Sequence, residues 1–147
     1  MELILWRHAD AEMGNPDGQR RLTDKGLKQA ERMAAWLAAR LPEEYVVMAS
    51  PAVRAQQTAR ALAGQFKTVP DLDTSASAAQ LLRACGWPHG ANVVAVGHQP
   101  TIGEVAALLL AGTPAQWAVK KGAVVWLSLR GAEARPRLKA WISPDLV

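Results

Sequence analysis

The chain has 147 residues and a formal net charge of +4, with half of its residues hydrophobic and a fifth charged. That length suits one domain, spanning residues 1–147 and able to bury its own core, and the composition excludes a disordered chain. No apolar run is long enough for a membrane span, no basic leader precedes the first apolar stretch, and Cys85 has no partner for a disulfide or a thiolate zinc cluster.

Leu3-Ile4-Leu5-Trp6 is a short, continuous apolar run, the pattern of a strand covered by helices on both faces. After a polar loop containing Gly14 and Gly18, a helix is predicted from its N-cap Thr23. Leu27, Ala30, Ala34, Leu37, Ala38 and Leu41 form its apolar stripe and Pro42 its stop. Val46–Ala49 is the second strand. Ser50-Pro51 reads as an N-cap with proline at the first helical position, opening a helix that buries Ala52, Ala55, Ala59, Leu62 and Phe66. Arg54 and Thr58 share another face of that helix. A short helix is expected from Ser77 to Cys85, then a strand at Val93–Val96. The next helix is striped by Ile102, Val105, Ala106 and Leu109 and ends at Gly112. Val124–Leu129 and Leu138–Ile142 pattern as strands joined by a turn near Gly131. The alternation predicts an α/β domain with three α/β/α layers, its sheet mostly parallel with a C-terminal antiparallel hairpin. The tryptophans read mostly as packing residues, with Trp87 and Trp117 as candidates for surface recognition.

Three strands end in polar groups with no evident structural duty: Arg7-His8-Ala9-Asp10, Ser50-Pro51-Ala52-Val53-Arg54 and Gly97-His98-Gln99-Pro100. Each alone has an ordinary reading, as a strand-end histidine or a solvated helix arginine. In a parallel sheet, however, all three emerge at the carboxyl edge, where open α/β folds bind ligands. Two arginines and two histidines then meet in one crevice. Arginine offers a planar, permanently charged fork for phosphate oxygens, and histidine can attack phosphorus or hold the transferred oxygens. No third His, Asp or Glu stands at metal-ligand spacing with either histidine, so neither metal nor cofactor is expected. The arrangement points to phosphoryl transfer through a histidine.

The same residues carry a family resemblance. Arg7-His8-Ala9 resembles the Arg-His-Gly signature of the histidine phosphatase superfamily, which includes the cofactor-dependent phosphoglycerate mutases. Leu22-Thr23-Asp24-Lys25-Gly26 is similar to its Leu-Thr-x-x-Gly helix start. Ser50-Pro51, Arg54 and Gln57-Thr58-Ala59 match its Ser-Pro-x-x-Arg-x-x-Gln-Thr-Ala motif, and Gly97-His98 its second histidine motif. The short chain, Arg20-Arg21-Leu22-Thr23 and the terminal Trp141-Ile142-Ser143-Pro144 resemble the small SixA-type branch of phosphohistidine phosphatases. The resemblance implies a phosphoglycerate mutase-like fold and a phosphatase in which His8 becomes phosphorylated. Arg7 and Arg54 would grip the phosphoryl oxygens and His98 would hydrogen-bond them. Arg20 and the backbone N–H of Gln99 are candidate substrate contacts.

Two departures from the pattern bear on substrate. Ala9 replaces the signature glycine, which is compatible with a backbone that does not need positive φ. The glutamate general acid of larger relatives has no recognisable counterpart, leaving Asp71 and Asp73 as candidate acids. An alkoxide leaving group needs a proton donor, whereas phosphohistidine expels an imidazole with an ordinary pKa of about 6.5. The expected substrate is therefore phosphohistidine on a protein phosphotransfer partner. A small-molecule phosphomonoester phosphatase and a non-catalytic phospho-ligand binding module remain as alternatives. With the arginines scattered and only Lys120-Lys121 adjacent, neither nucleic acid nor a membrane is an expected partner, and the cysteine usage favours the cytoplasm.

Overall fold

The first apolar run becomes the strand around which the sheet is laid. The computed structural model describes all residues, Met1–Val147. In chain order they form β1 (Glu2–Arg7), α1 (Asp24–Ala38), β2 (Val46–Ala49), α2 (Val53–Arg60), β3 (Lys67–Thr68), α3 (Ala78–Ala84), β4 (Val93–Gly97), α4 (Thr101–Ala111), β5 (Val124–Ser128) and β6 (Arg137–Ile142). Short 3-10 turns lie at Asp17–Gln19, Pro70–Leu72 and Pro144–Leu146. No helix is long and apolar enough to cross a membrane.

The sheet order is β3-β2-β4-β1-β5-β6. β1 pairs in parallel with β4, β4 with β2 and β2 with β3, while β5 and β6 run antiparallel as the predicted hairpin. Being central, β1 has both faces covered, and its alternating side chains divide between two cores. Ile4 and Trp6 join Met33 and Leu37 of α1 and Ala55 and Ala59 of α2. Leu3 and Leu5 join Leu81 of α3 and Ile102 and Val105 of α4. The result is the expected three-layer α/β/α sandwich, with β1, β2 and β4 ending at one edge.

Several local expectations are corrected. The α2 N-cap is Ala52, and Ser50 is not a cap of that helix; its hydroxyl accepts from the Ala52 N–H at 3.2 Å. α2 stops at Arg60, so Leu62 and Phe66 pack from the following loop and are only half-buried. In α1, Leu27 and Ala38 are exposed and Met33 takes their place in the core, a rotation of the stripe toward β1. Trp87 and Trp117 are half-buried against the Leu3 core. The two-residue edge strand β3, exposed at both positions, has no hydrophobic pattern from which to be read.

The start of α1 explains one motif physically. Thr23 caps the helix by accepting from the Gly26 N–H at 2.9 Å, as expected. The Thr23 N–H in turn donates to the Asp10 carbonyl at 3.0 Å, which brings α1 against the segment just past β1. A Cβ on Gly26 would stand 2.0 Å from that carbonyl oxygen. Gly26→Ala is therefore expected to cost about 1–3 kcal/mol by overpacking rigid backbone, measured by urea denaturation. A change within about 0.5 kcal/mol, the range of ordinary surface substitutions, would show that Asp10 yields freely.

Candidate active site

β1, β2 and β4 deliver the three polar strand ends to one crevice. His8 follows β1, and the flanking backbone is fixed on both sides. The His8 N–H donates to Gly97 O and the Gly122 N–H donates to His8 O, each at 3.0 Å. Thr58 secures the next residue from α2, accepting from the Ala9 N–H at 3.1 Å while donating to Arg54 O at 2.8 Å. His8, Arg54 and His98 are 6%, 3% and 2% exposed, so the chemistry sits out of bulk water.

The partners of each imidazole identify its tautomer. His8 Nδ1 lies 2.8 Å from Ala9 O, an acceptor, so Nδ1 carries the proton. His8 Nε2 then bears the lone pair and accepts from Arg54 Nε at 3.3 Å. His98 Nδ1 faces Arg54 Nη2 at 3.5 Å and is the unprotonated nitrogen; its Nε2–H donates to Ser50 Oγ at 2.8 Å. The two rings stand 5.2 Å apart between centroids. Burial, reinforced by the surrounding cations, pushes His8 down to about 3 and His98 down to about 4. Both imidazoles are neutral at physiological pH, and His8 holds an unprotonated nitrogen ready to attack.

Arg7 donates through Nη1 to Val119 O at 2.7 Å, while its Nε is the one buried side-chain polar atom without a hydrogen-bond partner. Burial, then the nearby Arg54 cation, lowers the Arg7 guanidinium from its ordinary value. Two like charges beside two neutral imidazoles make a pocket suited to a dianion.

The remaining sequence candidates occupy different places. The Gln99 side chain spans Trp117 O and the Gly103 N–H, at 2.8 and 2.7 Å, and so is committed within the fold. Arg20 is half-buried and donates to Asp17 Oδ1 at 3.0 Å and Glu12 O at 3.1 Å. Asp73 follows the Pro70–Leu72 turn, whose Leu72 carbonyl lies against Gly97, and its field offsets a small part of the lowering that burial and Arg54 impose on His98. Asp71 lies on the turn itself and is exposed. No group of three or more His, Cys, Asp or Glu side chains is placed to hold a metal ion.

Sequence reasoning missed Asp17, Ser50 and Thr58 as parts of this site. Ser50 and Thr58 lie within the matched motif, which was the available signal. Asp17 carried none, because it reaches Arg54 only through the folded loop.

A parallel-edge crevice holding a neutral histidine beside a buried and a half-buried guanidinium group defines a phosphoryl-handling α/β enzyme. The model of the histidine phosphatase superfamily (branch 1) matches residues 3–77, and the chain belongs to that superfamily as a phosphatase. The chain is 29% identical over 142 residues to phosphohistidine phosphatase SixA of Escherichia coli K12, covering 89% of this chain and 88% of that one. A structure of the protein histidine phosphatase SixA complexed with tungstate superposes with a TM-score of 0.82 at 24% identity, covering 99% of each chain. A phosphoserine phosphatase from Entamoeba histolytica shares the fold with a TM-score of 0.74 at 18% identity, covering 98% of each chain.

Proposed function

We propose that the chain is a metal-independent phosphohistidine phosphatase acting on a phosphorylated protein partner in the cytoplasm through a phospho-His8 intermediate. The observation that carries this reading is the pair of contacts made by His8: Nδ1 against Ala9 O assigns the proton to Nδ1, and Nε2 is left as the nucleophile, its lone pair held by Arg54 Nε until the phosphoryl group displaces that contact. In the first step the Nε2 lone pair attacks phosphorus. The substrate N–P bond breaks, its electron pair returning to an imidazole that leaves neutral when its other nitrogen is protonated. Phospho-His8 is then an imidazolium, because Nδ1 keeps its proton, hydrogen-bonded to the Ala9 carbonyl. In the second step water attacks phosphorus and the His8 N–P bond breaks. His8 returns to its starting tautomer, and the water proton leaves with inorganic phosphate. Arg7, Arg54 and the Gln99 N–H donate to the equatorial oxygens, and His98 joins them by taking up a proton on Nδ1, the nitrogen that faces Arg54.

The carboxylates around the pocket support an N–P bond over an O–P bond. Asp17, hydrogen-bonded first by Arg54 and also by Arg20, is held below the usual carboxylate range and is an ionised, poor proton donor. A leaving imidazole makes little demand for one. Arg20, whose Nη2 is uncommitted, is proposed to meet the substrate beyond its phosphoryl group.

The test compares kcat/KM for a phosphohistidine-bearing phosphotransfer domain with that for sugar phosphates, nucleotides and phosphoserine peptides, all in EDTA. A preference for phosphohistidine of about tenfold or more is expected, unchanged by EDTA, because the two guanidinium groups supply the charge a metal would otherwise provide. A tenfold preference for an alkyl phosphate would overturn the substrate class and make Asp73 the proton donor to test by Asp73→Asn.

A further inference from the structure

The Arg54 guanidinium offers two bidentate edges, and the protein uses them differently. Its side edge, Nε and Nη2, faces His8 Nε2 and His98 Nδ1 at 3.3 and 3.5 Å. Its terminal edge is clasped by a single residue: Nη1 donates to Asp17 O at 2.8 Å and Nη2 to Asp17 Oδ2 at 3.1 Å. The other carboxylate oxygen, Oδ1, accepts from Arg20 Nε at 3.0 Å, and Arg20 Nη1 ties the loop back to Glu12 O. We infer that Asp17 is a positioning residue that clasps the terminal edge of Arg54, turns its side edge toward the phosphoryl site, and is braced from outside by Arg20.

Three observations carry this. Arg54 is almost wholly buried beside another guanidinium, and Asp17 is the one carboxylate paired with it. Two bonds from one residue, carbonyl and carboxylate, fix the guanidinium plane as a single bond would not. With the terminal edge clasped, the donors of the side edge point to the imidazoles, 3.3 Å from His8 Nε2 and 3.5 Å from His98 Nδ1. Asp17 is itself 59% exposed, so its place depends on Arg54 and Arg20 more than on core packing. A competing arrangement, in which Asp17 occupies the phosphoryl site and must be displaced, predicts the opposite sign for oxyanion binding.

The inference rests on the phosphoryl-site reading above but not on which phosphorylated substrate is used. It is tested with p-nitrophenyl phosphate, whose leaving group needs no acid, and with vanadate, which mimics five-coordinate phosphorus. For Asp17→Ala, kcat is expected to fall about 10- to 100-fold with KM changed less than about threefold, and vanadate inhibition to weaken by the same factor as kcat. Asp17→Glu restores most of the loss and Asp17→Asn little, since the amide keeps the shape without the charge. Vanadate binding that is unchanged or tighter in Asp17→Ala would overturn the positioning role. So would a kcat loss that Asp17→Glu fails to relieve. A wild-type protein that neither turns over p-nitrophenyl phosphate nor binds vanadate would overturn the site reading along with it.

Discussion

His8→Ala is expected to lose kcat/KM by a factor on the order of 10⁴ or more, because it removes the nucleophile itself. Quenching the wild-type protein during turnover of labelled phosphosubstrate is expected to trap acid-labile, base-stable label on His8, absent from the variant. Label that persists in His8→Ala would move the nucleophile elsewhere, and His98 is the only other imidazole in the pocket. The pH dependence supplies an independent reading. The attacking nitrogen must be unprotonated, and burial pushes the His8 imidazole from its ordinary 6.5 down to about 3. Corrected for ionisation of the substrate, kcat/KM is therefore expected to pass through pH 6.5 without a histidine limb and to fall only as pH approaches 4 and then 3. Stability follows the same protons. Below pH 6.5 the unfolded chain binds protons on His8 and His98 that the folded chain refuses. Stability is thus complete above that pH and is lost as pH falls toward the folded values of about 4 and 3. Calorimetric Tm is expected to decline across that window, and a kcat/KM limb centred near 6.5 would contradict the burial argument.

How far this site could be read from the chain depends on the kind of contact involved. The three strand ends were legible because β1, β2 and β4 are continuous apolar runs, and a parallel sheet forces their ends to one edge. Thr23 and Gly112 were legible because caps are local: Thr23 accepts from the Gly26 N–H, and Gly112 adopts a φ of 75° past α4. Ser50 shows where local rules stop. Ser-Pro is a good helix start, yet the helix begins later at Val53 and the hydroxyl serves His98 across the sheet. Arg54 in isolation reads as a solvated helix residue; it is buried because Asp17, His8 and His98 surround it, and none is near it in sequence. Asp71 and Asp73 are equivalent in sequence, and only the Pro70–Leu72 turn separates an exposed side chain from one whose field reaches His98.

Arg54→Ala is expected to lower kcat/KM by about 10³- to 10⁵-fold, the range found when an arginine that stabilises phosphoryl-transfer charge is removed. The magnitude follows from its placement. Arg54 is the group that touches His8 Nε2, His98 Nδ1 and Asp17 at once, so its loss removes charge, orientation and the donor nearest the attacking atom together. Arg54→Lys separates these contributions. Lysine keeps the charge but has no planar fork, so it cannot hold Asp17 while donating toward both imidazoles. It is expected to recover less than about tenfold of the loss. His98→Ala, which removes one neutral ring lying farther from the attacking nitrogen, is expected to cost about 10²- to 10³-fold. Folding should survive Arg54→Ala, since the carboxylate left behind belongs to the mostly exposed Asp17 and gains water in place of its partner. Steady-state kinetics with p-nitrophenyl phosphate, with circular dichroism confirming the fold, measure all three variants. A loss below about tenfold for Arg54→Ala, or near-full recovery by lysine, would mean that bulk positive charge suffices and that the forked geometry around His8 is not what drives the transfer.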